Sequence, residues 1–388
     1  MQLTCKTDIL LRKAMNHKEE MDVAFENCLT YLRRRGRLPF RAASFGPVDN
    51  LILSLCAYDP FEWVLPGVES GVWLPFSQAV EKLTQRPGWD DTGLLMSPHT
   101  PELVVEAARS PRFRTLALGC METVADQDTQ FAALTYRLPD GTLFLAFRGT
   151  DDTLAGWKEW FAMSYSPSVP SQRLALDYLV RVATKYPGKL RLGGHSKGGN
   201  LAVYAAMNAS DEVKDRVERI YSLDGPGFPE SVVNSFEYAS VSDRIVKIVP
   251  DSSVVGMVLE TPERCMVVKS DVEGIMQHFA FSWQMHGGEF DKVEDVANSS
   301  VTFNKALNGW LSNLSKEQRE RAVDALFAVL EASGAGSISA MMAAGPKVIP
   351  EMLGTYVGLS VEDRRNLNQA LGIMLQAALA RNPKVRRR

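Results

Sequence analysis

The sequence is poor in the residues that build disulfide scaffolds and metal sites. Among 388 residues there are five cysteines and five histidines, and no two cysteines have C-x-x-C spacing. An odd number of scattered cysteines cannot all pair, which argues against a disulfide scaffold and against a zinc site. We therefore expect no metal and no organic cofactor, and a protein of the reducing cytoplasm.

A long apolar run is also missing. A membrane-spanning helix needs about 20 mostly apolar residues, and no stretch approaches that length. Near the N-terminus, Lys6, Asp8 and Arg12 interrupt the apolar core that a signal peptide requires. These absences predict neither a spanning segment nor a secretory leader.

Neither sign of charge dominates. The formal net charge is −3, so there is no general electrostatic reason to expect nucleic acid or an anionic membrane as a partner. A basic cluster at residues 384–388 is the exception; we interpret it as a solvated tail, with peripheral contact to lipid headgroups as the alternative. Hydrophobic residues make up 45% of the chain, enough for a sizeable core. Composition does not indicate the oligomeric state.

Apolar periodicity predicts three units. Residues 1–45 contain an amphipathic pattern over 17–35, with Asn16 as a candidate N-cap, and form a helical flap. Residues 46–297 are the candidate catalytic domain. Residues 298–388 are purely helical in pattern, and Ser315 with Gln318 has capping-box spacing. We expect this C-terminal unit to serve packing.

The middle unit alternates strand and helix patterns. Residues 131–138 and 142–147 predict a hairpin that turns at Asp140-Gly141. Shorter strands are predicted over 190–194, 219–223 and 244–249, with helices between them. This alternation predicts an α/β fold whose mainly parallel central sheet is flanked by helices.

One motif points to chemistry. Gly194-His195-Ser196-Lys197-Gly198 has the pattern G-x-S-x-G, between a predicted strand and an alanine-rich helix. In a nucleophile elbow the serine occupies a strained turn, and the small glycines permit the close approach of neighbouring backbone. The bare pattern is only moderately specific, and the strand and helix around it give it weight. We therefore predict an α/β-hydrolase fold with Ser196 as the nucleophile.

A serine hydroxyl also needs donors that stabilise the oxyanion it forms. The backbone N–H of Lys197, at the start of the helix, is the expected first donor. Thr150 follows the predicted strand 142–147 through Gly149 and is a candidate for the second. An ordinary strand-ending turn explains this segment equally well on local evidence.

Chain order selects the candidate base. In α/β-hydrolases the triad runs serine, acid, histidine, and only His278 and His286 follow Ser196. His278 follows the apolar run 266–268, as expected of a loop after the last strand. His286 stands beside two glycines and reads as a solvated turn, so we favour His278.

Three aspartates are candidates for the acid, which must be buried beside the histidine. Asp243 precedes the apolar stretch 245–250, Asp224 ends the predicted strand 219–223, and Asp251 follows Pro250. Each can also be an ordinary turn or cap aspartate. We rank Asp243 first, Asp224 second and Asp251 third.

These motifs together resemble a known family. The Phe147-Arg-Gly-Thr150 segment, the Gly-His-Ser-Lys-Gly-Gly-Asn-Leu-Ala elbow and the run from Ser242 to Pro250 are similar to class 3 lipases. More closely, they resemble the bacterial Mbeg-like, lipase-like family of the α/β-hydrolase superfamily. The resemblance covers about residues 49–290. It implies Ser196 as nucleophile, Thr150 as an oxyanion residue, Asp243 as acid and His278 as base.

Two features depart from a true lipase. Lys197 stands where lipases usually carry an apolar residue, and we expect its side chain to point into solvent rather than to bind an anionic headgroup. A long apolar lid is not evident over 151–170, although Trp157, Trp160 and Phe161 can line an acyl pocket.

The sequence thus predicts a serine hydrolase that cleaves small acyl esters through an acyl-enzyme. Carboxylesterase or lysophospholipase-like activity fits better than lipase activity at an oil interface. An acyltransferase or thioesterase with the same triad is an alternative within this chemistry. A non-catalytic interaction module that keeps the fold is an alternative from another class. A thiol-dependent enzyme is disfavoured because no cysteine lies in an elbow or beside a histidine.

Overall fold

The computed structural model describes residues 26–91, 99–126 and 129–379. Strands within these residues are β1 (Trp73–Pro75), β2 (Ala117–Ala125), β3 (Gln130–Arg137), β4 (Leu143–Phe147), β5 (Leu190–His195), β6 (Val217–Leu223), β7 (Ile245–Pro250), β8 (Cys265–Val268), β9 (Met285–His286), β10 (Glu289–Phe290) and β11 (Lys292–Val293).

Helices precede, connect and follow these strands. The α-helices are α1 (Cys28–Arg35), α2 (Pro47–Cys56), α3 (Phe76–Thr84), α4 (Thr100–Arg109), α5 (Leu154–Ala162), α6 (Pro170–Lys185), α7 (Lys197–Asn208), α8 (Asp211–Lys214), α9 (Glu230–Val233), α10 (Phe236–Ala239), α11 (Asn298–Ser312), α12 (Lys316–Glu331), α13 (Ile338–Ala344), α14 (Ile349–Gly358) and α15 (Val361–Leu379). No described helix is both long enough and apolar enough to cross a bilayer.

One large sheet organises the chain. Its strands follow the order β1-β2-β3-β4-β5-β6-β7-β8-β11. The strands from β4 to β8 pair in parallel, whereas the outer pairs on both sides are antiparallel. The predicted hairpin is confirmed: β3 and β4 pair antiparallel, and Gly141 turns between them with a φ of +83°. The antiparallel strands β1, β2 and β11 were not predicted.

Hydrophobic cores lie on both faces of this sheet. Alternate residues of β4 divide between them: Leu143 and Leu145 join a core with α6 and α7, whereas Phe144 and Ala146 join one with α2, α3 and α4. This is the period-two alternation of a strand buried on both faces. A parallel central sheet covered by helices on both faces, with a serine elbow after β5, is an α/β-hydrolase fold.

The predicted N-terminal helix is shorter in the described residues. Helix α1 begins at Cys28, because the Asn27 side chain accepts hydrogen bonds from the backbone N–H groups of Leu29 and Thr30 and caps the first turn. Residues 16–25 of the predicted helix and the basic cluster at 384–388 lie outside the described residues.

From Asn298 onwards the described chain is helical. Ser315 caps α12 through the predicted capping box with Gln318. Helix α12 packs against α5, and α15 packs against the short helical segment Gly274–His278. The division into units at residues 45/46 and 297/298 stays a prediction, but the C-terminal helices contact the segments that carry the candidate site.

Candidate active site

The backbone at Ser196 has the conformation of a nucleophile elbow. Ser196 lies between β5 and α7 with φ 59° and ψ −132°, a strained conformation for a residue with a side chain. A Cβ at Gly198 would lie 2.1 Å from the Phe147 carbonyl oxygen, and one at Gly194 would lie 2.4 Å from it. Both positions therefore require glycine. The strained turn directly after β5 holds the Ser196 side chain at the carboxyl edge of the sheet.

His278 pairs with Asp224. The two are joined by a hydrogen bond of 2.6 Å between His278 Nδ1 and Asp224 Oδ2. Asp224 directly follows β6 and is fully buried. Its other oxygen, Oδ1, accepts hydrogen bonds from Ser253 Oγ at 2.5 Å and from the Gly256 N–H at 3.1 Å. A buried carboxylate therefore faces the histidine ring.

Opposing effects set the charge of this carboxylate. Burial alone would raise the pKa of Asp224, but the hydrogen bond and charge of His278, together with Ser253, lower that pKa below its ordinary value. Asp224 is therefore an acceptor, so His278 carries its proton on Nδ1 and leaves Nε2 free to accept one.

Asp243, the first-ranked acid, is not beside His278. Its side chain is 81% exposed and contacts Arg244 at 3.8 Å. The reason is strand direction: Asp243 precedes β7, whereas Ser196 and Asp224 follow β5 and β6. These strands run in parallel, so residues before and after them lie at opposite edges of the sheet.

Asp251, ranked third, holds the histidine segment instead. Its Oδ1 accepts a hydrogen bond of 2.7 Å from Gln277 Nε2, and Gln277 Oε1 accepts one of 2.7 Å from the Ser252 N–H. Gln277 is buried. These bonds fix the residue that precedes His278.

The candidate oxyanion donors lie on two segments: the loop that carries Thr150, and the start of α7, where Lys197 directly follows Ser196. A Cβ at Gly149 would lie 2.6 Å from the His195 carbonyl oxygen and 3.1 Å from Ser196 Cβ, so the loop after β4 passes directly against the elbow. The buried Thr150 hydroxyl has no hydrogen-bond partner within the described residues. Lys197 is the first residue of α7, where N–H groups have no acceptor within the helix. Two sets of donors thus flank Ser196.

The Lys197 side chain is buried, contrary to the expectation that it points into solvent. It is 0% exposed, and its Nζ donates to the Gln130 carbonyl at 2.6 Å and to Glu159 Oε2 at 3.0 Å. Burial lowers the pKa of Lys197, and Glu159 opposes that shift. The lysine therefore stabilises the base of the elbow. Because its ammonium is buried and already paired with Glu159, it is not available to bind an anionic headgroup.

His195 supports the candidate base. Its Nε2 lies 2.8 Å from the His278 carbonyl oxygen, and the two rings are 4.6 Å apart. Burial, reinforced by His278, lowers the pKa of His195 to about 3. His195 is therefore neutral near pH 7, and because a carbonyl can only accept, Nε2 carries its proton and ties the elbow to the His278 backbone.

A largely apolar cavity of about 350 Å³ lies beside the elbow. Ser196, His278 and Thr150 lie on its wall, together with the predicted pocket residues Trp157, Trp160 and Phe161. The described residues show no hydrogen bond between Ser196 Oγ and the His278 ring. Catalytic hydrogen bonds are often long before substrate binds. No described cluster of three His, Cys, Asp or Glu side chains is arranged to hold a metal ion.

The sequence of this site matches a family. The model of the Mbeg1-like family matches residues 107–328, more than half of the chain. The chain belongs to the Mbeg1-like family. The matched region of this Mbeg1-like chain contains Thr150, Ser196, Asp224 and His278.

Comparison with solved structures adds two distant likenesses. The chain is similar to Rhizomucor miehei lipase in complex with its propeptide, at 16% identity and a TM-score of 0.29, over 50% of this chain and 66% of the lipase, just under two thirds. It is also similar to M37 lipase, at 13% identity and a TM-score of 0.33, over 85% of this chain and 100% of that one. With TM-scores this low, neither likeness is evidence for the function of this chain. No curated protein matches the chain significantly.

Sequence reasoning missed several residues of the Mbeg1-like site. Ser253 and Gly256, which donate to Asp224, have no motif of their own, and His195 was treated only as part of the elbow pattern. A signal for Asp224 was present: it ends a strand next to β5 and is followed by Gly225-Pro226-Gly227, a turn sequence at the same edge as the elbow.

Proposed function

We propose that this protein is a serine hydrolase that cleaves acyl esters through an acyl-enzyme, with Ser196, His278 and Asp224 as its triad. The observation that carries the proposal is the 2.6 Å hydrogen bond between His278 and the fully buried Asp224, with His278 on the same cavity wall as a serine in a strained elbow. A histidine exposed on the surface would not need a buried carboxylate partner, and a serine in an ordinary turn would not need a strained backbone.

The proposed first step is acylation. Ser196 Oγ attacks the ester carbonyl carbon, and His278 Nε2 accepts its proton. Asp224 holds the Nδ1 proton and stabilises the positive charge that the ring gains. The proton then passes from His278 to the leaving oxygen, so the C–O bond breaks and an alcohol departs.

The second step is deacylation. A water molecule gives its proton to His278 and attacks the acyl carbon, and the proton returns to Ser196 as the acid leaves. In both steps the Lys197 N–H and the Thr150 segment donate to the oxyanion. Such preorganised donors are each worth about 3 kcal/mol of transition-state stabilisation.

The chemistry of the cavity wall supports the proposal that the substrate carries an acyl chain. Aromatic and aliphatic side chains make up most of its wall, and they suit an alkyl chain better than a sugar or a peptide. Carboxylesterase and lysophospholipase-like reactions both fit this wall.

Fluorophosphonate labelling of the full-length protein tests the proposal. The wild type becomes labelled, whereas Ser196→Ala abolishes labelling and His278→Ala slows it strongly. Ser164→Ala is the matched control, because Ser164 also lies on the cavity wall and is outside the elbow; it keeps wild-type labelling.

Hydrolysis of p-nitrophenyl esters from acetate to palmitate then measures turnover. Folded wild-type protein that neither reacts with the probe nor hydrolyses any ester would overturn the hydrolase proposal and favour a non-catalytic interaction module. Labelling that survives Ser196→Ala would place the nucleophile elsewhere.

A further inference from the structure

The cavity beside Ser196 is closed in part by a C-terminal helix. Helix α11 follows the last strand of the sheet and contributes four apolar side chains to the wall: Phe303, Leu307, Trp310 and Leu311. Residues of the α/β part face them across a shared apolar cluster, which includes Trp160, Val258 and Leu259. Without α11 this side of the cavity would be open.

Polar contacts hold α11 in this position. The Asn308 side chain accepts a hydrogen bond of 3.3 Å from the Leu259 N–H and donates one of 3.3 Å to the Leu259 carbonyl. One turn earlier, Asn304 Nδ2 donates to the Met257 carbonyl. Since the segment 254–259 also lines the cavity, these bonds join two of its walls directly.

The far end of α11 is joined to another wall. Arg319 donates from Nε to the Leu311 carbonyl at 2.8 Å and from Nη1 to the Ser164 carbonyl at 2.9 Å. Ser164 follows α5, whose aromatic side chains line the cavity. The helix is therefore fixed at its middle and near its C-terminal end to segments that surround the site.

The α11 side of the cavity carries no charge. The aspartate and histidine side chains on the wall are Asp151, His195 and His278, and none of them belongs to α11. The Asp151 carboxylate is already engaged by the N–H and hydroxyl of Thr153 at 2.9 and 2.6 Å. A cavity of about 350 Å³ lies near the lower end of the range for ligand sites, which suits one alkyl chain rather than two.

We propose that α11 forms the acyl-chain wall of the site, and that Leu307 and its neighbours limit the length of the acyl group. The inference rests on the proposed function and adds to it a substrate class, esters of single-chain fatty acids. It also assigns chain-length selection to the C-terminal helices, which the sequence predicted to serve packing alone.

Two readouts test this inference separately from catalysis. The first is the chain-length profile of p-nitrophenyl esters for the wild type and Leu307→Trp. The larger side chain fills the cavity, so kcat/KM for the decanoate and longer esters falls by at least about tenfold, while the acetate ester is hydrolysed as before. Ala306→Trp is the matched control, because Ala306 is exposed on the same helix; it leaves the profile unchanged.

The second readout is the binding of decanoate to Ser196→Ala by calorimetry. Binding is observed, is lost when Leu307→Trp is added, and is kept when Ala306→Trp is added. Leu307→Ala enlarges the cavity and shifts the ester profile towards longer chains. This second variant still tests the inference if the larger side chain overpacks the core and Leu307→Trp does not fold.

The outcomes separate the two proposals. Ester hydrolysis with a profile that neither Leu307 variant changes overturns the α11 assignment and leaves the hydrolase intact. Decanoate binding that depends on Leu307, without hydrolysis of any ester, overturns the hydrolase and supports the acyl site. Absence of decanoate binding to folded Ser196→Ala overturns the acyl site.

Discussion

The carboxylate of Asp224 accepts three hydrogen bonds and is closed off from solvent. Two of them, from Ser253 and Gly256, fix Oδ1 so that Oδ2 points at the histidine. Because an asparagine would present an amide in place of this charge, the tautomer and the positive charge of His278 would lose their support.

We therefore expect Asp224→Asn to reduce kcat for p-nitrophenyl ester hydrolysis by about 10³–10⁴. Asp243→Asn is the matched control, since its exposed side chain is far from the cavity wall, and its kcat stays near that of the wild type. Steady-state kinetics with a check of folding by circular dichroism measures both. Loss of activity in Asp243→Asn with full activity in Asp224→Asn would reverse the assignment.

Helix α7 begins on a buried ion pair. Lys197 and Glu159 are both essentially inaccessible, and Glu159 also accepts hydrogen bonds from the N–H groups of Ser171 and Gln130. The pair thus joins α7 to α5, α6 and β3 beneath the elbow. Removal of one buried charge leaves the other without its partner, which costs more than the removal of both.

Lys197→Met should therefore lower the free energy of unfolding by about 3–5 kcal/mol, measured by urea denaturation. Adding Glu159→Gln removes the stranded charge and restores most of the loss. Lys158→Met is the control, because Lys158 forms a half-exposed pair with Asp324 at 3.7 Å; its effect stays below about 1 kcal/mol. Equal destabilisation by the two lysine variants would argue against a special role for the buried pair.

The C-terminal helices connect the segments that surround the site. The backbone bridge between Thr153 and Ser337 and the hydrogen bond from the Ile338 N–H to the Asp152 carbonyl attach them to the loop that follows β4. Arg319 attaches them to the end of α5. The site is therefore shared between the α/β part and the helices that follow it.

Arg319→Met should loosen α11 without unfolding the sheet. We expect faster amide hydrogen exchange in 298–312 and a several-fold lower kcat/KM for long-chain esters relative to acetate, because one attachment of the acyl wall is lost. Arg321→Met, whose exposed side chain pairs with Glu362 at 2.8 Å, should change neither. Unchanged exchange in the Arg319 variant would show that the other contacts suffice.

Several features of this protein could be predicted from local sequence patterns. The elbow glycines, the Asp140-Gly141 hairpin and the Ser315 capping box follow from short-range sterics and hydrogen bonding, so their residues could be read from neighbouring positions. His278 followed from chain order, because only two histidines come after Ser196. Apart from His278, these features depend on few residues, close in sequence.

Three features could be found only from contacts between distant segments: the aspartate that pairs with His278, the position of the Lys197 side chain and the face of the cavity that α11 covers. The partners involved are 54 residues apart for Asp224 and His278 and 38 apart for Glu159 and Lys197, and pattern within one segment carries no record of them. Strand direction, burial and helix docking bring them together. For that reason Asp224 rather than Asp243 faces the histidine, and the Lys197 side chain is buried and paired with Glu159. For the same reason helix α11, which was predicted only to pack, forms a wall of the site.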